Sequence, residues 1–335
     1  MVKKQNFRKV NLKGSVSDLY EKALVGFFRL LPPDLIPRLH HEIFKAPFFQ
    51  RTKIWQDWNL PIKIIEKKFV QLTMARQQLA KKQGYSSFLQ LILEKHKIPR
   101  RDYDAFIKSI DRQILVFNKQ LSNSKPFPSW YYSKFGRPCA ICLAKSFPFN
   151  NLNEVLDSVI EKERILKKFE SQIKINLGKN SAVNYKNKAN IFAITIDKNL
   201  NNRHQMADLI HELSHVVAAL NSFQKKVDYF QKGAYWREKE ALKVEMRVLK
   251  KQQDIFWQNL IIECLLVWRR ELFEIELYRD PNQDLSKLYA QTFNRCFPGA
   301  KQKSNPLYLL DERIILAPFS SLPHALAQFQ VFVSS

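Results

Sequence analysis

Apolar residues return every three or four positions over most of the 335-residue chain, which predicts a succession of amphipathic helices. Ser17 to Leu31 reads as a short helix stopped at Pro32-Pro33, whose rings cannot continue it. Residues 34 to 61 hold Pro37, Pro47 and Pro61 and read as short helices and turns. From Ile62 to Gln83 the spacing puts Ile65, Phe69, Leu72, Ala75, Leu79 and Ala80 on one side of a long helix that stops at Gly84. Ser87 with Gln90 makes a capping box for a second helix to about His96, and Asp102 to Leu121 is a third. Ser122 to Asn151 has no such period and is rich in Pro, Phe and Tyr. It reads as a segment (122–151) connecting an N-terminal helical lobe, 1–121, to a C-terminal lobe, 152–335. Asn153 to Gln172 is helical again. The period then shortens: Ile191-Phe192-Ala193-Ile194-Thr195-Ile196, bounded by Asn190 and Asp197, is the clearest strand. It reads either as an edge on which an extended peptide pairs or as an ordinary structural strand.

Composition narrows the class. Seven glycines, no Gly- or Ser-rich tract and 45% hydrophobic residues describe a compact, mostly helical chain. The net charge of +24 raises the question of nucleic acid, but the lysines are spread over nearly every segment and no nucleic-acid-binding motif is found, so nucleic acid is not the favoured partner. Cys139, Cys142, Cys264 and Cys296 are too few and scattered for a disulfide scaffold, which fits a reducing, cytoplasmic compartment. Cys139 and Cys142 form a CxxC with no second CxxC to complete a zinc ribbon and no strand-to-helix frame for a redox site. Met1 to Val10 has no apolar core of a signal peptide, and Ile255 to Leu277 is broken by Gln258, Asn259, Glu263, Arg269 and Arg270, so no membrane span is expected.

The chemistry concentrates in residues 206 to 220, an apolar helical run carrying His211, Glu212 and His215 as HExxH. Positions four apart share a helix face, so His211 and His215 can hold one metal ion while Glu212 points beside it. Core histidines hydrogen-bonded to carboxylates would be the structural alternative. Asn202 followed by Gln205 reads as the capping-box start of this helix. A hydrolytic zinc site needs a third protein ligand. Downstream, Glu238 shares a face with Ala241, Leu242, Glu245, Val248 and Leu249, whereas Glu240 shares one with Lys243, Val244, Arg247 and Lys251. The first face is apolar apart from its carboxylates, which favours Glu238 as ligand and Glu245 as the residue orienting a zinc-bound imidazole.

These residues resemble the thimet oligopeptidase and oligoendopeptidase F family of zinc metallopeptidases, in a shortened version. His211-Glu212-Leu213-Ser214-His215 is similar to its HExGH, with Ser214 where Gly is usual, and Glu238 and Glu245 match its pair of glutamates seven apart. Arg76 to Tyr85 is similar to its R-x-x-x-A-x-x-x-G-Y stretch, and Tyr278-Arg279-Asp280-Pro281 to the region after the site. Pro318 to Gln328 resembles the segment where the family carries a His and tyrosines that bind substrate and stabilise the oxyanion. Arg313 falls at the likely His position, and Ser320, Ser321 and His324 replace the tyrosines. The resemblance implies a mainly α, zincin-like metallopeptidase with a small β-sheet edge beside the active-site helix. It implies bound Zn2+, peptide substrates, Glu212 as the base that activates water, and His324 or Arg313 as oxyanion donor. Two other readings stay open: a metallopeptidase-like peptide-binding protein that has lost turnover, and a basic helical protein that binds nucleic acid. Oligomeric state is not legible.

Overall fold

The computed structural model describes residues 45–47, 50, 53, 62–121, 149–179, 181–186, 191–198, 202–249 and 254–333. The helix expected at 17–31, the Cys139/Cys142 pair and nearly all of 34–61 and 122–151 lie outside them. The described residues are mainly α-helical, with one three-stranded sheet. They form two compact units that interleave along the chain: residues up to Glu94 with Leu272–Asn294 and Gln302–Phe319, and Lys95–Glu271 with Arg295–Lys301 and Ser320 onward.

In the first unit, helix α1 (Ile62–Lys82) buries Ile65, Phe69, Leu72 and Ala80, the face that the spacing predicts. It ends in a left-handed cap: Gly84, at φ +88°, donates to the Lys81 carbonyl at 3.0 Å, and Tyr85 donates to Ala80 at 3.0 Å. Glycine adopts this conformation without a Cβ penalty. Helix α2 (Phe88–Lys95) starts at Ser87, whose hydroxyl accepts from the Gln90 amide at 3.1 Å. The Gln90 side chain reaches back one residue further than expected and takes the Ser86 amide at 2.8 Å. Buried Arg76 of α1 donates to the Tyr278 hydroxyl at 3.2 Å and to the Ile315 carbonyl. Three stretches distant in sequence are joined by that one guanidinium.

In the second unit, helix α3 (Arg100–Leu121) buries Tyr103, Phe106, Ile110, Ile114 and Phe117, a stripe at three- and four-residue steps. Phe117 stacks on Trp268 with ring centres 5.1 Å apart. Helix α4 (Leu152–Lys162) is capped by Asn151, which accepts from Glu154 N at 3.0 Å. The helix expected to continue to Gln172 breaks at Glu163, and a short helix α5 (Arg164–Lys167) and a 3-10 turn (Glu170–Gln172) follow. Strands β1 (Ile173–Gly178), β2 (Ala182–Lys186) and β3 (Ile191–Asp197) make a sheet of order β1-β3-β2. The expected strand is β3, but it is central and not an edge: β1 pairs with it in parallel and β2 antiparallel, so its main-chain groups are used on both sides. Any pairing of an added strand falls to β1 or β2. Phe192, Ile194 and Ile196 of β3 are buried in one cluster with Met206, Leu209, Leu213, Val216 and Val217 of helix α6 (Asn202–Gln224).

Helices α7 (Ala234–Leu249), α8 (Asp254–Arg279), α9 (Leu285–Cys296), α10 (Glu312–Leu316) and α11 (Leu322–Val333) complete the described chain. Among the described residues no helix is long and apolar enough to cross a membrane. Cys264 and Cys296 are buried free thiols, and burial raises both above the ordinary thiol range, which makes them poor nucleophiles.

Candidate metal centre and active site

Helix α6 is buried or half-buried on every side from Gln205 to Ser222. Its polar residues must therefore find partners inside the protein. Buried Ser214 and Ser222 donate to the carbonyls four residues back, Ile210 at 2.8 Å and Ala218 at 2.7 Å. A serine thus fits where a glycine was expected. Gln205 donates to the Asp197 carbonyl at 3.3 Å and not back to the helix start, so the expected capping box is not formed that way. Helix α7 follows a tight passage at Gly233, where a Cβ would lie 2.6 Å from the His96 carbonyl oxygen.

His211 and His215 lie one turn apart on α6, and each is held from behind. The Nδ1 atom of His211 is 2.8 Å from Glu245 Oε2 of α7. That of His215 is 2.6 Å from the Tyr229 hydroxyl, which itself donates to the Arg237 carbonyl at 3.1 Å. A hydroxyl that gives its proton to a carbonyl can only accept from the ring, and a carboxylate also accepts, so the network assigns the protons to Nδ1 on both histidines. Both Nε2 lone pairs then point forward. They are 3.2 Å apart, and Glu238 Oε2 of α7 lies 3.6 Å from each. One ligand atom from each of His211, His215 and Glu238 falls within 4.8 Å of the others, and this is the one such group among the described residues.

Three acceptors facing one another need a cation between them. Two nitrogens at zinc–imidazole distance in a tetrahedral shell lie roughly 3.3 Å apart, close to the spacing found, and two imidazoles with a carboxylate are an ordinary zinc donor set. The residues therefore fit a zinc ion. The electrostatics show the same demand for positive charge. Burial opposes charge on both Glu238 and His211, yet the imidazoles of His211, His215 and His324 gathered around it hold the Glu238 carboxyl well below its usual range. Glu245 and Glu238 together raise His211 well above its own. His215 is lowered, chiefly by burial. A proton on His211 and a metal at Nε2 are alternative ways of supplying the same charge.

Glu212, beside His211, is buried and accepts no hydrogen bond from any described residue. Burial first, and then the carboxylates of Glu238, Asp208 and Glu245, push it up to about 7. A carboxylate poised near neutrality suits a general base. His324 of α11 stands at the same cluster, with Nδ1 2.9 Å from Glu238 Oε2 and Nε2 3.0 Å from the Gln328 amide nitrogen. The amide donates to Nε2, so Nδ1–H points at Glu238. Arg313 is an exposed residue of α10 in the other unit, and Ser321 accepts from Arg270 at 3.0 Å. Glu240 pairs with Lys243 at 2.7 Å, away from the histidines.

Tyr229 and Gln328 are the residues that sequence reasoning missed. Tyr229 lies in the turn between α6 and α7, where no periodicity marks it. Gln328 follows His324 by four, and that spacing was the available signal.

Fold and site together describe a mainly helical, zincin-like architecture with an HExxH helix against a small sheet. The fold is similar to that of two solved structures, each at 11% sequence identity. One is a crystal structure of a protein assigned as oligoendopeptidase F, at a TM-score of 0.61, with 95% of this chain and 64% of that one covered. The other is PZ peptidase A with an inhibitor, at a TM-score of 0.59, with 97% of this chain and 72% of that one covered. The chain thus spans 64% of the length of the first. No protein-family model and no curated protein matches the sequence.

Proposed function

We propose that the chain is a zinc metallopeptidase that hydrolyses peptide bonds in oligopeptides, with His211, His215 and Glu238 as ligands and Glu212 as general base. The observation that carries this reading is the convergence of two Nε2 lone pairs and one carboxylate oxygen, with both Nδ1 sides already engaged. The peptidase fold neighbours support the substrate class. A bound zinc ion supplies a Lewis acid that lowers the pKa of water to about 7 and polarises the scissile carbonyl. Glu212 takes the proton of the attacking water and returns it to the leaving amine. Glu245 and Tyr229 hold the two imidazoles with Nε2 forward. His324 keeps Glu238 in place through Nδ1–H, and it is the candidate donor to the developing oxyanion, a role in which Nε2 must part from Gln328 and carry a second proton, making the ring an imidazolium.

Metal analysis joined to a quenched-peptide assay, on wild type and Glu212→Gln, tests the reading. Zinc is expected at one ion per chain in both proteins, and cleavage is expected to fall by about 10²- to 10⁴-fold in the variant. Undiminished cleavage by Glu212→Gln overturns the mechanism. A second reading, a metal-holding peptide-binding protein without turnover, rests on Ser321, which stands at an expected tyrosine position with its hydroxyl tied to Arg270. Zinc and peptide binding with no cleavage by wild type would select it.

A further inference from the structure

Beside the metal centre a cavity of about 200 Å³ opens between residues of α6, α7, α8 and α11, and every residue that lines it belongs to the second unit. Its chemistry is two-sided. Ala207, Ile210, Leu242 and Leu260 give apolar wall, while Asp208, Glu245 and Glu263 bring one carboxylate from each helix. Asp208 takes the Ser181 hydroxyl and Glu245 is engaged by His211. Glu263 is exposed and lines the cavity, and one of its oxygens accepts from Asn259 Nδ2 at 2.8 Å. Asn259 lines the same cavity, is 95% buried by its 5% exposure, and its carbonyl Oδ1 has no hydrogen-bond partner among the described residues. A buried amide carbonyl left unmatched is costly, so a donor that reaches it is favoured.

The needed donor carries positive charge, and its form follows from the shape. Among the described residues only the histidine–Glu238 cluster brings three ligand atoms within bonding range of one ion, so these carboxylates do not close on a bare metal. The cavity holds the space of about six waters and has an apolar wall, which suits an alkyl chain ending in a cation. We infer that this cavity is the recognition pocket for a cationic alkyl side chain of the peptide substrate, lysine or arginine in type, its charged head received by the Glu263 carboxylate, to which Asn259 donates. The inference rests on the peptidase reading and names the residue type that reading leaves open.

The test uses the zinc-loaded full chain and matched quenched peptides carrying Lys, Arg or the neutral isostere norleucine at each position around the cleaved bond. At one position the cationic peptides should be cleaved with kcat/KM about tenfold or more above the norleucine peptide. Glu263→Gln should erase that ratio and leave both zinc content and norleucine-peptide turnover unchanged, and Glu263→Lys, which places its own ammonium in the cavity, should do the same. The larger effect of Lys or of Arg tells which head group the cavity prefers. Absence of a cationic preference at every position, or a preference untouched by both variants, overturns the inference. Calorimetric titration with n-butylammonium and n-butylguanidinium against n-pentanol reads the pocket without turnover. If no peptide is cleaved, the peptidase reading fails, while saturable binding of the cations that Glu263→Gln abolishes still supports a cation pocket and its absence removes it.

Discussion

Two buried polar hubs sit in this chain, and they are built on opposite principles. In the first unit Arg76 sends donors to acceptors already present, the Tyr278 hydroxyl and the Ile315 carbonyl, while Gln77 beside it donates to the Tyr278 carbonyl at 2.6 Å and accepts from Phe88 N at 2.8 Å. Donor meets acceptor, and the hub is closed. In the second unit His211, His215 and Glu238 turn acceptors toward acceptors, each braced from outside by Glu245, Tyr229 or His324. Such an arrangement is unfavourable until a cation joins it. A hub satisfied by its own residues serves the fold, whereas a hub whose bracing is complete and whose centre is unmatched serves a ligand.

The largest effect should come from taking the metal away. Zinc at a thousand times its dissociation constant stabilises the fold by about 4 kcal/mol, so a chelator should lower the melting temperature of the wild type markedly. His211→Ala and Glu238→Gln should lose bound zinc and melt at one temperature with or without chelator. Zinc retained by either variant would break the distinction between the hubs. Arg76→Met gives the opposite pattern: with the Ile315 carbonyl and Tyr278 hydroxyl left without their donor, urea unfolding should report a loss of about 2–3 kcal/mol, the same in zinc-loaded and chelated protein. A loss confined to the zinc-loaded form would place Arg76 in the metal centre instead.

How far these hubs could be read in the sequence depends on how local their determinants are. His211, Glu212 and His215 lie within one turn of one helix, and the helix period separates the apolar face of Glu238 and Glu245 from the charged face of Glu240. Those determinants are local, and they were legible. The bracing of His215 by Tyr229 joins residues 14 apart across a turn, and that of Glu238 by His324 joins residues 86 apart, distances at which periodicity is silent. The sheet divides in the same way. β3 alternates strongly and is legible, but Ile173-Lys174-Ile175-Asn176-Leu177 follows directly on a helical pattern, and Ala182–Lys186 offers one short run, so neither flanking strand is. Without its neighbours β3 reads equally as a pairing edge or as an ordinary structural strand. The long helix α8 was legible as buried from its interrupted apolar run, and the break at Glu163 was not, since no Gly or Pro marks it.

A smaller effect separates bracing from ligation. Tyr229→Phe keeps the ring and its packing but leaves the His215 Nδ1–H without an acceptor and takes the hydroxyl donor away from the Arg237 carbonyl. Loss of a partner that orients an imidazole typically weakens metal binding about 10- to 100-fold. Competition with a chromogenic chelator should find zinc affinity reduced within that range, with stoichiometry kept at one. An affinity equal to the wild type would mean that the turn around Tyr229 does not set the orientation of His215.

The smallest expected effect bears most directly on which glutamate belongs to the hub. Glu238 and Glu240 are two residues apart on α7, so their side chains leave the helix about 200° apart, and only one can face α6. Glu238 has imidazole nitrogens of three histidines around one oxygen, whereas Glu240 meets Lys243, a residue half open to solvent, at 2.7 Å. An exposed ion pair three residues apart on a helix contributes about 0.2–0.5 kcal/mol. Glu240→Gln should therefore shift unfolding by no more than that, less again at high salt, and leave bound zinc and peptide turnover as they were. Zinc lost with Glu240→Gln but kept with Glu238→Gln would exchange the two roles, and the acceptor-to-acceptor geometry at His211 and His215 would then need another third partner.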